Sequence, residues 1–389
     1  MVEDTMLFDL NIDKSNWLPV KFGDVVREIR ESSGNPEADG LHRIIGLEHI
    51  DPENIHLNSW GELADSITFS RIFRKGQVLF GKRRSYLKKA ALAGFDGICS
   101  GDIIVMEAKE DLLPELLPFL VCNDKFFDHA VKTSAGSLSP RTKFKDLAEF
   151  EVLLPPIEQQ AELAELLWAG DEMVESSKIL NVQLETAKNA FFKNSFRSSE
   201  GDEIRFSDLL NINPTIPKSG IDPNINVSFV TMADVTEDGY ISTKETRKLA
   251  EVKKAFTYFA ENDILFAKIT PCMENGKGAI ATDLTSLIGY GSTEFHVLRP
   301  LLDSDLYFCF FLTQMPFFRK KAEQHMTGSA GQKRVPSDFF STFRFIAPEA
   351  EKRHEIGKVT LEMEKNLQQV KSQIKFSQQL QKSIINQIF

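Results

Sequence analysis

The chain has 389 residues, of which 42% are apolar and 26% charged, and a formal net charge of -10. That length exceeds a single domain and implies two or three, each with room for a sizeable core. The net acidity excludes a simple basic nucleic-acid binder, so charge has to be read locally.

Residues 1–10 carry Glu3, Asp4 and Asp9 and lack the basic-then-apolar pattern of an export signal, so a cytoplasmic location is expected. Residues 1–20 read as an arm, and residues 20–29 as a short helix. The turn-rich Ser32-Ser33-Gly34-Asn35-Pro36 opens a first globular body. Residues 42–47 and 77–80 are strand-like, and 103–106 is a short apolar run of β-branched type. Residues 112–131 suggest one or two helices broken by Pro114 and Pro118, followed by a polar loop over 133–141 and a strand over 150–154.

A long helix over 158–196 comes next. Leu163, Leu166, Gly170, Met173, Ser177, Leu180, Leu184, Ala187 and Phe191 fall alternately three and four apart, the seam of a coiled coil. After a polar linker the order replays. Phe22-Gly23-Asp24 returns as Phe206-Ser207-Asp208, and Leu79-Phe80-Gly81-Lys82 as Leu265-Phe266-Ala267-Lys268. Ser134-Ala135-Gly136 returns as Ser329-Ala330-Gly331, and the strand over 150–155 as 343–348. The run 306–318 is apolar but is interrupted by Pro316 and is too short to span a membrane. A second long helix closes the chain over 351–389. Its stripe is Ile356, Met363, Val370, Ser377 and Ile384, with Leu367, Ile374 and Ile388 alongside. Two proline-free helices of equal length, each closing a larger half, predict an antiparallel rod with a globular domain at each end.

The sequence lacks several catalytic signatures. Gly276-Lys277-Gly278 does not make a phosphate-cradling P-loop, and no Asn/Asp-Pro-Pro-aromatic run of an amino-methyltransferase is present. Cys99, Cys122, Cys272 and Cys309 lie far apart without metal-ligand spacing, so reduced, mostly buried thiols are expected. His42, His49 and His56 recur every seven residues, but Pro52 breaks that segment and they read as incidental. Glu107-Ala108-Lys109 after an apolar strand, with Asp96 or Asp102 upstream, resembles a nuclease metal core. The repeat sets Arg299 opposite Glu107, however, so the second half lacks this core.

Binding signals are stronger. Residues 71–90 hold eight bases and no acid, ending in Lys82, Arg83, Arg84, Tyr86, Lys88 and Lys89. Such a run combines phosphate-neutralising charge with guanidinium groups suited to guanine edges. The loop after it adds Ser137, Ser139, Arg141 and Lys143. In the second half the matching positions are Lys268, Thr270, Asn275 and Lys277, then Ser329, Gln332, Lys333 and Arg334. The opening of the first long helix is acidic instead: Glu158, Glu162, Glu165, Asp171, Glu172 and Glu175 occur without a base through residue 175.

With Leu154-Pro155-Pro156-Ile157-Glu158-Gln159-Gln160 opening the first helix, and with the ordered repeat, the chain resembles a specificity subunit of a type I restriction-modification enzyme. The resemblance covers essentially the whole length. It implies an α+β fold of two mixed target-recognition domains in direct repeat, each followed by a long helix, the helices pairing as an antiparallel coiled coil. The implied boundaries are 1–157 and 197–350 for the globular parts, and 158–196 and 351–389 for the helices. It further implies a non-catalytic subunit that reads a bipartite, asymmetric duplex DNA target. S-adenosylmethionine, ATP and Mg²⁺ would belong to two methyltransferase subunits and to motor-nuclease subunits, and none to this chain. Glu158, Gln159, Glu162 and Glu165 are then the expected docking residues for partners. The second helix opens with Glu351-Lys352-Arg353 and lacks the Glu-Gln pair. Two other readings compete: a nuclease using Glu107 and Lys109, and a coiled-coil adaptor without DNA function.

Overall fold

A computed structural model describes residues 10–63, 69–197, 201–216, 221–329 and 331–389. Residues 1–9 of the expected arm, three linker residues (198–200) and Ala330 lie outside the described residues. The chain divides into two compact units, residues 1–179 with 371–389, and residues 180–370.

The first unit contains strands β1 (Leu18–Lys21), β2 (Val26–Ile29), β3 (Arg43–Ile45), β4 (Gly61–Glu62), β5 (Arg71–Phe73), β6 (Val78–Gly81), β7 (Ala90–Leu92), β8 (Gly97–Cys99), β9 (Ile103–Ala108) and β10 (Glu151–Leu154). They form sheets of order β2-β9-β6-β7 and β4-β3-β8-β5, and the pair β1-β10. Only β3 and β8 run parallel among these pairs. Every residue of β6 is buried. Val78 and Phe80 join one core with Phe22 and Phe126, whereas Leu79 joins another with Phe73 and Val105. The period-two alternation of a strand thus serves a sheet covered on both faces, which is why its sequence reads as an unbroken apolar run.

Residues 20–29 are not a helix. A single turn, Phe22–Val25, separates β1 from β2, because Val26 returns to extended backbone and pairs with Ala108. In the region 112–131, helices Leu117–Val121 and Asp124–Lys132 are separated at Asn123. Its side-chain oxygen accepts from the amides of Lys125 (2.8 Å) and Phe126 (3.3 Å), an N-cap. Pro114 and Pro118 start turns, where the missing N–H goes unneeded.

The second unit repeats the plan with β11 (Glu203–Arg205), β12 (Leu210–Ile212), β13 (Asn226–Val230), β14 (Glu245–Lys248), β15 (Thr257–Ala260), β16 (Ile264–Ala267), β17 (Gly278–Ile280), β18 (Ile288–Gly291), β19 (Phe295–Pro300) and β20 (Arg344–Ile346). Its sheets are β12-β19-β16-β17, β14-β13-β18-β15 and β11-β20, and β13 with β18 is again the parallel pair. Strand for strand this is the order of the first unit. Two further correspondences lie in single side chains. Where Gln77 donates to Glu107 (2.8 Å), Arg299 donates to Asp263 (2.7 and 2.8 Å), so the acid has changed strands. Where Gln160 bonds the carbonyls of Pro155 (3.0 Å) and Asp111 (2.9 Å), Arg353 bonds the carbonyl of Pro348 (2.8 Å) and the buried carboxylate of Asp305.

The long helices are α1 (Ile157–Arg197) and α2 (Ala350–Ile388), and they pair antiparallel. Asp171 accepts from Gln381 (3.2 Å) in the first unit, and Lys188 pairs with Glu364 (2.5 Å) in the second. The expected stripe on α2 is buried or half-buried throughout. On α1 the deepest positions are instead Gln160, Ala164, Leu167, Asp171, Val174 and Phe192, while Leu166, Met173 and Leu180 stay 45–46% exposed. The heptad spacing is right but its phase is one residue early. Ala164 and Leu167 belong to the core of the globular body, so α1 buries its deepest face there, and Leu166, Gly170 and Met173 line an open groove with Ser377 and Ile384.

Candidate nucleic-acid interface

In the first unit, the chain leaves β6 at Gly81 and makes a short bridge between Arg83 and Arg141. The Lys82 amide donates to the Asp102 carbonyl (3.0 Å), and the Lys82 carbonyl accepts from the Thr142 amide (3.0 Å). Asp102, three residues past β8, holds Arg141 at 2.8 Å and Arg83 at 3.5 Å. The Arg141 bond is the main reason the Asp102 carboxyl lies below its usual range. Arg83 also donates to the Ser139 hydroxyl (3.1 Å). The loop 133–141 is closed by the bridge of Ala135 to Arg141 and turns at Gly136, whose φ of +115° suits glycine. Ser137 is exposed beside the tip, where Leu138 is 90% exposed, and Lys143 is exposed just past the loop. Arg84 takes a left-handed conformation (φ 55°) and is exposed beside Tyr86.

The second unit repeats this frame with different side chains. The Lys268 amide donates to the Glu294 carbonyl (2.9 Å), and the Lys268 carbonyl accepts from the Val335 amide (2.9 Å). Ile269 bridges to Arg334, and Arg334 grips Glu294 with two bonds of 2.9 Å. That pair is also the first cause of the lowered Glu294 pKa. Thr270 donates to Glu274 (2.7 Å), Asn275 to Glu237 (3.1 Å) and Lys277 to the Met232 carbonyl (3.1 Å). Ser329, Gln332 and Lys333 are exposed on the following loop. Buried Arg319 shapes the 269–277 loop from beneath through the carbonyls of Met273 (3.0 Å) and Gly276 (3.1 Å).

The sequence-derived set therefore divides. Arg83, Arg84, Tyr86, Ser137, Ser139, Arg141 and Lys143 gather around one loop pair, as do Lys268, Thr270, Ser329, Gln332, Lys333 and Arg334 around the other. Lys88 is instead tied to Asp124 and Glu53, and Lys89 donates to the Leu47 carbonyl (2.6 Å), so both pin loops of the body. On α1, Glu158, Glu162 and Glu165 are exposed, but Gln159 accepts from the Trp17 indole (2.9 Å) and Asp171 is buried against His56 (2.7 Å). Sequence reasoning missed Asp102 and Glu294 as arginine holders. Their signal was an acid at the same offset past equivalent strands, in Cys99-Ser100-Gly101-Asp102 and Gly291-Ser292-Thr293-Glu294.

The nuclease reading finds no support. Glu107 is paired with Arg27 and Gln77, Lys109 donates to the Gly23 carbonyl (2.6 Å), and Asp96 is held by Arg74 (3.1 Å) and the Lys75 amide (2.8 Å). Among the described residues no cluster of three or more His, Cys, Asp or Glu could hold a metal, and no helix is long and apolar enough to cross a membrane. The four cysteines are free; Cys99 and Cys309 are buried, and Cys122 and Cys272 are half-buried.

The family profile of the type I restriction modification DNA specificity domain matches residues 199–384. The chain is 41% identical over 157 residues to the type I restriction enzyme EcoEI specificity subunit of Escherichia coli, covering 39% of this chain and 26% of that protein. It is 44% identical over 140 residues to the EcoAI specificity subunit of the same organism, covering 34% and 22%. The chain thus spans about a quarter of the length of these two curated relatives. A crystal structure of a type I restriction-modification S subunit from M. genitalium shares the fold, with a TM-score of 0.59 over 98% of each chain at 12% identity. Residues 199–384 thus match a type I restriction modification DNA specificity domain, and over nearly its whole length the chain has the fold of a solved S subunit.

Proposed function

We propose that this chain is the non-catalytic DNA-reading subunit of a type I restriction-modification complex. Residues 1–157 and 197–350 act as target-recognition domains, each reading one half of a split, asymmetric duplex sequence. The carrying observation is one frame built twice, with an arginine held on a carboxylate beside a strand-end lysine, presenting different loops in each unit. A repeated frame suits repeated docking on a duplex, and divergent loops suit two different half-sites. Base edges would be read by side chains such as Arg83, Arg84, Gln332 and Lys333. The length of the paired helices α1 and α2 sets the unread spacer.

Two methyltransferase subunits would supply S-adenosylmethionine and methylate adenines flipped from the stack. Motor-nuclease subunits would supply ATP- and Mg²⁺-dependent restriction. Exposed Glu158, Glu162 and Glu165 are the proposed docking residues on α1. Mapping adenine methylation in a host with this gene and its methyltransferase, and again without this gene, tests the reading. Loss of a split motif with two unlike halves is expected. Unchanged methylation with the methyltransferase expressed and folded would contradict it.

A further inference from the structure

Lys82 and Lys268 occupy one topological position, the residue after the buried central strand of each unit, where the backbone is fixed on both sides by equivalent hydrogen bonds. Both ammonium-bearing side chains are half-buried. Neither has a hydrogen-bond or ion-pair partner among the described residues, although an acid lies close by in each case. Those acids, Asp102 and Glu294, are already taken by Arg141 and Arg334. A cation that gives up water and gains no carboxylate is disfavoured in the free protein. Burial accordingly lowers both lysine pKa values, with Arg71 and Arg141 adding to the effect at Lys82 and Arg334 at Lys268.

In the first unit the lysine lines a cleft of about 410 Å³. Arg30, Arg71, Arg141, Lys143 and Lys145 share that lining with a single carboxylate, Glu28, which Arg30 and Arg71 already hold. Six cations against Glu28 and, behind Arg141, Asp102 leave a net positive field, and a multiply bonded anionic oxygen is the group that satisfies it.

Resting on the DNA-reading function above, we infer that Lys82 and Lys268 are equivalent phosphate seats. Each clamps one backbone phosphate of its half-site and sets the register of its unit, while the neighbouring loops read bases. In the first unit the seat extends to Arg71 and Lys145, which the sequence did not single out. A phosphate contact carries no sequence information, so the seat can be identical in two domains that read different bases.

The test uses the full chain assembled with its methyltransferase subunit and fluorescent duplexes carrying either the mapped motif or an unrelated sequence. Lys82→Met and Lys268→Met keep the apolar stem and remove the charge. Each is expected to weaken binding to both duplexes, to reduce the slope of log affinity against log salt by about 0.9, and to leave the methylated motif unchanged. Lys82→Arg and Lys268→Arg retain the slope. Wild-type slope in the Met variants, or lowered thermal stability with that slope intact, overturns the seat while leaving the DNA-reading function standing. A changed motif overturns it in favour of base reading. Failure of the wild-type complex to bind either duplex overturns both.

Discussion

Arg334 holds Glu294 through two hydrogen bonds of 2.9 Å. The same relation, between Arg141 and Asp102, recurs at the matching point of the other unit. In both, the carboxylate fixes the guanidinium before any ligand arrives, which lowers the ordering cost of binding. Asp102→Asn should therefore free Arg141 and Arg83. Affinity for unrelated DNA should rise as a negative charge is lost. Discrimination at one half-site should fall by about 1–3 kcal/mol. Competition binding with duplexes altered in one half at a time measures both changes. Equal loss at the two half-sites would contradict the assignment.

Arg353 and Asp305 form a buried pair in place of the glutamine that opens the first helix. Removing one partner strands the other charge, so Arg353→Ala should cost about 3–5 kcal/mol of unfolding free energy in denaturant titration. The double variant Arg353→Gln, Asp305→Asn, which restores neutral chemistry like that of Gln160, should recover most of the loss.

His56 and Asp171 supply a pH dependence. The Asp171 hydrogen bond is the largest influence on His56 and raises its pKa, opposed by burial and Lys178 and aided by Glu175. A raised folded-state pKa gives stability that is fully present below the unfolded value of about 6.5 and is lost as pH rises through the folded value. His56→Gln should flatten that part of the stability profile, measured by thermal unfolding from about pH 5.5 to 8.5. An unchanged profile would remove His56 from the account.

Glu107→Gln discriminates against the nuclease alternative. It breaks the half-exposed pair with Arg27, so stability should fall by less than about 1 kcal/mol. DNA cleavage by the assembled complex should persist; its loss would revive the metal-core reading.

Much of this architecture was legible because long helices leave long periodic traces. The α2 stripe, including Ile356, Leu367 and Ile388, lies where its spacing placed it. The α1 stripe slipped by one because its deepest face includes Gln160 and Asp171, polar residues whose burial rests on Asp111, Pro155 and His56. No hydrophobic count reveals that. Short strands such as β4, β7 and β12 gave no periodic signal at two or three residues. Of the basic run, charge alone could not separate Arg83 from Lys88, since the latter's acids, Glu53 and Asp124, come from distant parts of the chain.

The most direct measurement maps adenine methylation with the Arg83→Ala, Arg84→Ala variant in place of the wild-type chain. Relaxed or altered bases in one half of the split motif are predicted, with the other half and the spacer retained. Methylation of the unaltered motif with undiminished occupancy, or change spread over both halves, would contradict a chain in which each unit reads its own half-site.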